Sequence, residues 1–184
     1  LKNIFKEPYF WIGTLFLSIT PAWFLHSRTA FETALATTFY CVFLYFYMAY
    51  RTKSPRFLYA AVGMGALTFY TYSPAQMVMA VTAVFLLISD FRYHWHNRKI
   101  VLKGIGIASI LVLPYARYLI VHPQENYNHL QILDSYWIQN IPLGQKLSQF
   151  GSYYLNGLNP FYWYLPNDYD FSRHLMKDYG HIAR

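Results

Sequence analysis

Three groups of charged side chains stand at the edges of long apolar runs: Arg28 with Glu32, Arg117, and Asp168 and Asp170 with Arg173 and His174. An ionisable group at or near bilayer depth marks a functional site by default, and the chemistry on offer is anion binding. A guanidinium makes paired, charge-assisted hydrogen bonds to phosphate oxygens. A lipid-linked phosphate sits at this depth, and Arg28, Arg117 and Arg173 are each equipped to hold one. Simpler readings stand beside this one. Arg28 and Glu32 are four residues apart, the spacing of an ion pair on one helix face. Arg117, near the end of an apolar run, can carry its charge to the interface on its own stem.

Other reactive residue types give less. The chain has seven His, but no His-Glu-x-x-His pattern and no cysteine cluster, so no metal site is expected. His94 and His96 flank Trp95 in a basic stretch, where anchoring at a membrane surface is the expectation. The single Cys41 sits inside an apolar run and reads as a small buried hydrophobe. The pairs Gly63/Gly65 and Gly104/Gly106 fit no phosphate-binding loop and are expected to let helices approach closely. No cofactor is identified, and dependence on a divalent metal is left open.

The elements that must position these groups follow from composition. Hydrophobic residues make up 55% of the chain and charged residues 12%, about half the charge of a soluble domain. The net charge of +7 comes in short clusters between apolar runs. That is a membrane-topology pattern and not a stripe for a nucleic-acid backbone, so nucleic acid is excluded as a partner. A span needs about 20 apolar residues. Tyr9–Leu25, Phe31–Tyr50, Phe57–Tyr72, Pro74–Ser89 and Ile100–Val121 qualify, the third and fourth forming a hairpin because Pro74 interrupts one uncharged run. The rival is a single tilted helix kinked at Pro74. The expected fold is therefore an all-α integral membrane protein, with about five transmembrane helices over residues 1–121. Residues 122–184 are expected to follow as an outer segment. Lys2, Lys6, Arg51, Lys53, Arg56, Arg92, Arg98, Lys99 and Lys103 then share one face, the cytoplasmic one, which places the carboxyl-terminal segment outside. In that segment Leu143, Leu147, Phe150, Tyr154 and Leu158 recur at helical spacing, predicting an amphipathic interfacial helix over about 142–158. Phe161–Tyr164 reads as an aromatic belt element.

Four strings together resemble bacterial family-39-type glycosyltransferases of the GT-C membrane class, relatives of protein mannosyltransferases and of the lipid A aminoarabinose transferase. The first runs from Ser18 through Pro21, Trp23, His26, Ser27 and Arg28 to Glu32. The second, Gly65 to Tyr72, is similar to the family's Tyr-Thr-Tyr hairpin. His122-Pro123 with Glu125, and Asp168 with Arg173, His174 and Gly180, complete the set. Gln76, His129 and Asn167 depart from the family pattern, and no phosphate-binding role passes to them.

The resemblance implies a partial GT-C fold and a hexosyltransferase-type enzyme of the bacterial plasma membrane. It implies transfer of a sugar from a polyprenyl-phosphate donor to an acceptor on the extracytoplasmic face, the acceptor unknown. The residues it marks for substrate binding are Arg28, Glu32, Tyr72, Asp168, Arg173 and His174. The chain begins at Leu1 without a signal-like segment, and we expect an internal fragment. The family's catalytic acidic residues would lie upstream of Leu1, leaving this piece inactive alone. The alternative is a non-enzymatic polytopic membrane protein, a transporter or a lipid-binding subunit.

Overall fold

The computed structural model describes residues 8–21, 23, 27, 32–132 and 135–166, and every regular element among them is a helix. In chain order these are α1 (Phe10–Ile19), α2 (Glu32–Thr52), α3 (Phe57–Thr71), α4 (Ser73–Ser89), α5 (Phe91–His96), α6 (Arg98–Val121), α7 (Glu125–Ile132), α8 (Leu143–Leu158) and α9 (Pro160–Tyr164). The chain divides into two compact units, residues 1–14 with 26–114 and residues 15–25 with 115–184. The later boundary falls at Pro114, inside α6.

The core of the first unit is built by α2, α3 and α4. Ala36, Phe43, Tyr47 and Tyr50 recur at helical intervals and form the buried face of α2. From α3 come Ala61, Gly65 and Thr68, all small, which lets backbones approach. A Cβ on Gly65 would lie 3.0 Å from the Met79 methyl and 3.4 Å from the Phe43 ring. Gly104 of α6 meets Leu58 in the same way, at 3.2 Å. Gly63 and Gly106 have nothing within 4 Å, so only one glycine of each pair serves packing. The Thr68 hydroxyl is buried but bonds the Met64 carbonyl of its own helix at 2.9 Å, so its burial leaves no donor unpaired. Tyr40 and Thr82 join α2 to α4 through their hydroxyls at 2.9 Å.

The hairpin at Pro74 is present, and the single kinked helix is not. The break falls at Tyr72, whose backbone is extended (φ −150°, ψ 131°) between α3 and α4. In a continuous helix Pro74 would face the Tyr70 carbonyl with no proton to give; instead it starts α4, where that loss is harmless. Pro114 removes a donor from α6 in the same way, and the Tyr70 hydroxyl donates to the neighbouring Leu111 carbonyl at 2.7 Å.

Large apolar side chains cover the outside of these helices. Phe85 is 67% exposed, Ile88 69% and Ile110 66%, a surface that water would penalise and lipid would not. Among the described helices, α2 and α6 are long and apolar enough to cross a membrane, and α1, α3 and α4 are shorter apolar helices. The chain is an all-α membrane fold. Cys41 corrects the sequence expectation: it is exposed on the outside of α2, off the register of Ala36, Phe43, Tyr47 and Tyr50. The stretch 90–99 is likewise not an open loop, since α5 fills most of it.

In the second unit a turn at His122–Gln124 leads into α7. The amphipathic pattern predicted for about 142–158 is α8, with no buried residue and its Leu147, Phe150, Tyr154 and Leu158 all exposed. Phe150 and Tyr154 stack at 6.2 Å. Asn159 caps the next turn by accepting from the Phe161 N–H at 3.0 Å, so the aromatic run is the short helix α9. The Trp163 indole N–H returns to the Gly157 carbonyl at 2.7 Å.

Candidate functional site

Of the six residues marked for substrate binding, Glu32 and Tyr72 are described; Arg28, Asp168, Arg173 and His174 lie outside the described residues. Glu32 is exposed and opens α2, where a carboxylate meets the positive end of the helix dipole. Tyr72 is half-buried at the tip of the hairpin, its carbonyl accepting from Ala75 N–H at 3.0 Å. The side-chain pairs Tyr40–Thr82 and Tyr47–Asp90 show that α2 and α4 run in the same direction. The start of α2, the end of α3 and the start of α4 therefore share one end of the first unit, and the structure brings Glu32 and Tyr72 to it. Neither the Glu32 carboxylate nor the Tyr72 hydroxyl has a hydrogen bond or ion pair among the described residues. Gln76, one turn into α4, is half-buried near the same tip.

Between that end and the other runs an apolar cleft. Its upper part, about 260 Å³, is lined by Gly65, Phe69, Tyr70, Met79, Leu111 and Val112 among others. The lower part, about 190 Å³, shares Phe43, Val62, Ala83 and Ala108 with it and reaches Tyr47 and His94.

At the opposite end, about 29 Å along α2 from Glu32 at 1.5 Å per residue, lies a polar constellation that the sequence reading missed. The Tyr47 hydroxyl donates to Asp90 Oδ2 at 2.6 Å, and Arg51 pairs with Asp90 Oδ1 at 3.1 Å. With its proton given to Asp90, the Tyr47 oxygen is left to accept from His94 Nε2 at 3.3 Å, a donor shared with the Leu86 carbonyl at 3.3 Å. Nδ1 of His94 then accepts from the Tyr50 hydroxyl at 2.9 Å. This assignment uses the neutral imidazole with its proton on Nε2, the tautomer that satisfies every partner. Tyr93 donates to the Tyr50 carbonyl at 2.8 Å and carries the Arg51 guanidinium 4.3 Å above its ring. His94 is 8% exposed and Tyr50 fully buried, so His94 is no surface anchor: it ties α5 to α2. Trp95, on the other side of α5, is 65% exposed. Among the described residues no three His, Cys, Asp or Glu side chains converge as a metal site would require.

Comparison with known proteins fixes the family. Residues 1–118 match the profile of the dolichyl-phosphate-mannose-protein mannosyltransferases. The chain belongs to this family. The matched stretch takes in α1 to α5 and most of α6, including the hairpin, Glu32 and Tyr72. It ends before α7, α8 and α9, which stand outside it. No curated protein and no solved structure matches the chain. Membership makes this a membrane glycosyltransferase chain, and the resemblance carried by the sequence strings agrees with it.

Proposed function

We propose that this mannosyltransferase-family chain is part of an enzyme that moves a sugar from a polyprenyl-phosphate donor to an acceptor on the extracytoplasmic face of a bacterial plasma membrane. Five spans within residues 1–121, with the amino end cytoplasmic, would set the Glu32–Tyr72 end on the outer side. The observation that carries the reading is the family match through residue 118, which includes both of those residues. In this reading the donor phosphate is held by arginine, with Arg28 and Arg173 the candidates, and Glu32, Tyr72, Asp168 and His174 contribute to substrate binding. Acidic residues expected upstream of Leu1 would act as general base or orient the acceptor. The interfacial α8 and the aromatic α9 belong to a segment that covers the reaction from water.

The test is donor use by the full-length enzyme. A guanidinium bound to a phosphate contributes on the order of 1.5–3 kcal/mol, so Arg173→Ala should raise the Michaelis constant for the lipid-linked sugar, or lower turnover, at least about tenfold. Arg173→Lys should recover only part, since an ammonium lacks the planar fork. Arg117→Ala is the control and should affect stability more than donor use. Unchanged transfer by folded Arg173→Ala would remove that residue from the site.

A further inference from the structure

The end of the first unit remote from Glu32 carries a second polar surface. Residues 51–56 and 90–99 contain Arg51, Lys53, Arg56, Arg92, Arg98 and Lys99 against a single carboxylate, Asp90. That carboxylate is already taken by Tyr47 and Arg51. Arg92 and His96, one turn apart on α5, are exposed and have no ion pair or hydrogen bond among the described residues. Together with Arg51, Ile88, Ser89, Asp90, Phe91 and Tyr93 they line an open cavity of about 700 Å³ whose wall mixes polar and apolar side chains, the Asp90 carboxylate in it being neutralised by Arg51.

We propose that this cavity binds the phosphodiester headgroup of an anionic phospholipid, with Arg92, His96 and the remaining N–H groups of Arg51 as its donors. Depth is the first argument. The cavity sits where the apolar α4 ends and the apolar α6 begins, the level at which a spanning helix meets headgroups. Rigidity is the second. The Tyr47–Asp90–His94–Tyr50 network holds the inner side of α5 against α2, so Arg92 and His96 project from a fixed backbone. Arg51 is oriented by Asp90 and by the Tyr93 ring, yet its guanidinium has five N–H donors and the ion pair at 3.1 Å engages only one nitrogen. The third argument is amphiphilicity. Phe91 and Trp95 stack at 6.0 Å, 61% and 65% exposed, a paired aromatic surface that seats among headgroups and first acyl carbons. A cluster of basic side chains immediately beyond a spanning helix is drawn to anionic lipid; the partly apolar wall selects a lipid over a free anion. The inference rests on the membrane fold and is independent of the sugar donor.

Full-length protein in detergent is titrated with dioleoylphosphatidylglycerol, dioleoylphosphatidylcholine or inorganic phosphate, and bound lipid is read by native mass spectrometry. Phosphatidylglycerol should be retained at concentrations about tenfold below those phosphatidylcholine needs, one lost charge-assisted contact corresponding to about a decade. Arg92→Gln with His96→Gln should abolish that preference. Arg92→Lys, which keeps the charge, should retain most of it, and Arg117→Gln, which removes a charge elsewhere, should retain all. Melting curves identify any variant that has unfolded, and Arg92→Gln alone then replaces the double substitution. Equal retention of the two lipids, an unchanged preference in the glutamine variants, or displacement of the lipid by inorganic phosphate overturns the proposal.

Discussion

The two ends of the first unit are built on opposite plans. Inside the α5 end the buried polar side chains satisfy one another, while Arg92 and His96 on its outer side stay unpaired among the described residues: Asp90 serves Tyr47 and Arg51, and His94 uses both ring nitrogens. At the hairpin end, Glu32 and Tyr72 present a carboxylate and a hydroxyl with no partner among the described residues. Buried polar groups that are fully paired specify packing. Polar groups left open at the rim of a bundle are what substrate recognition needs. On this contrast the buried network serves stability and the hairpin end is the proposed donor-binding side; four substitutions and one pair of labels test that division.

The largest expected effect on stability is at the closed end. His94→Ala leaves the Tyr50 hydroxyl buried without its partner and opens a hole beside Tyr47, and should cost about 2–4 kcal/mol. Thermal unfolding in detergent should show it, while transfer by the protein still folded stays near normal. An equal loss of turnover in folded His94→Ala would mean the network also serves the reaction. Next comes the packing between the ends. Gly65→Val pushes two methyl groups toward the Met79 side chain and the Phe43 ring and should destabilise by about 1–3 kcal/mol. Gly63→Ala faces open space and should be neutral or stabilise by up to about 1 kcal/mol. Reversal of that order would place the helix contact on the other face of α3.

At the open end the expectation inverts. Glu32→Gln should change stability by no more than about 0.5–1 kcal/mol, the worth of a charge at an exposed helix start, yet lower transfer from the lipid donor. A loss seen only in the melting curve would return Glu32 to a structural role. The gentlest test leaves the chemistry alone. With Cys41→Ala as background, single cysteines at Ser54 and Gln145 should react with an impermeant reagent from opposite sides of the membrane, and reaction from one side would overturn the five-span layout.

Much of the helical layout was legible because apolar runs and prolines act locally. The charge-free run from Phe57 to Ser89 with Pro74 inside it led to the hairpin, and the break lies at Tyr72. Leu143 to Leu158 announced α8 through its spacing. The Tyr47–Asp90–His94 network escaped because its partners are more than 40 residues apart, and each half read alone is unremarked: two tyrosines in an apolar helix, one histidine in a basic stretch. The available signal was conjunction. Tyr47 and Tyr50 are one turn apart on the face that carries Phe43, and Asp90 and His94 are one turn apart on the chain that returns to it. Cys41 was misplaced for a related reason: an apolar run shows that a helix is surrounded by nonpolar material, but not which side faces protein and which faces lipid.

The hairpin also bears on the bilayer itself. At 1.5 Å per residue, α3 and α4 are about 22 and 25 Å long, whereas a typical hydrocarbon layer is about 30 Å thick. Where both cross, the lipid must thin locally or its headgroups must dip toward Tyr72, at a cost that grows with each ångström of mismatch. A phosphate carried on a long isoprenoid tail would ride down with that surface. The short hairpin would then act as a depression in the membrane, bringing a lipid-borne group to protein side chains without lifting its tail out of the hydrocarbon.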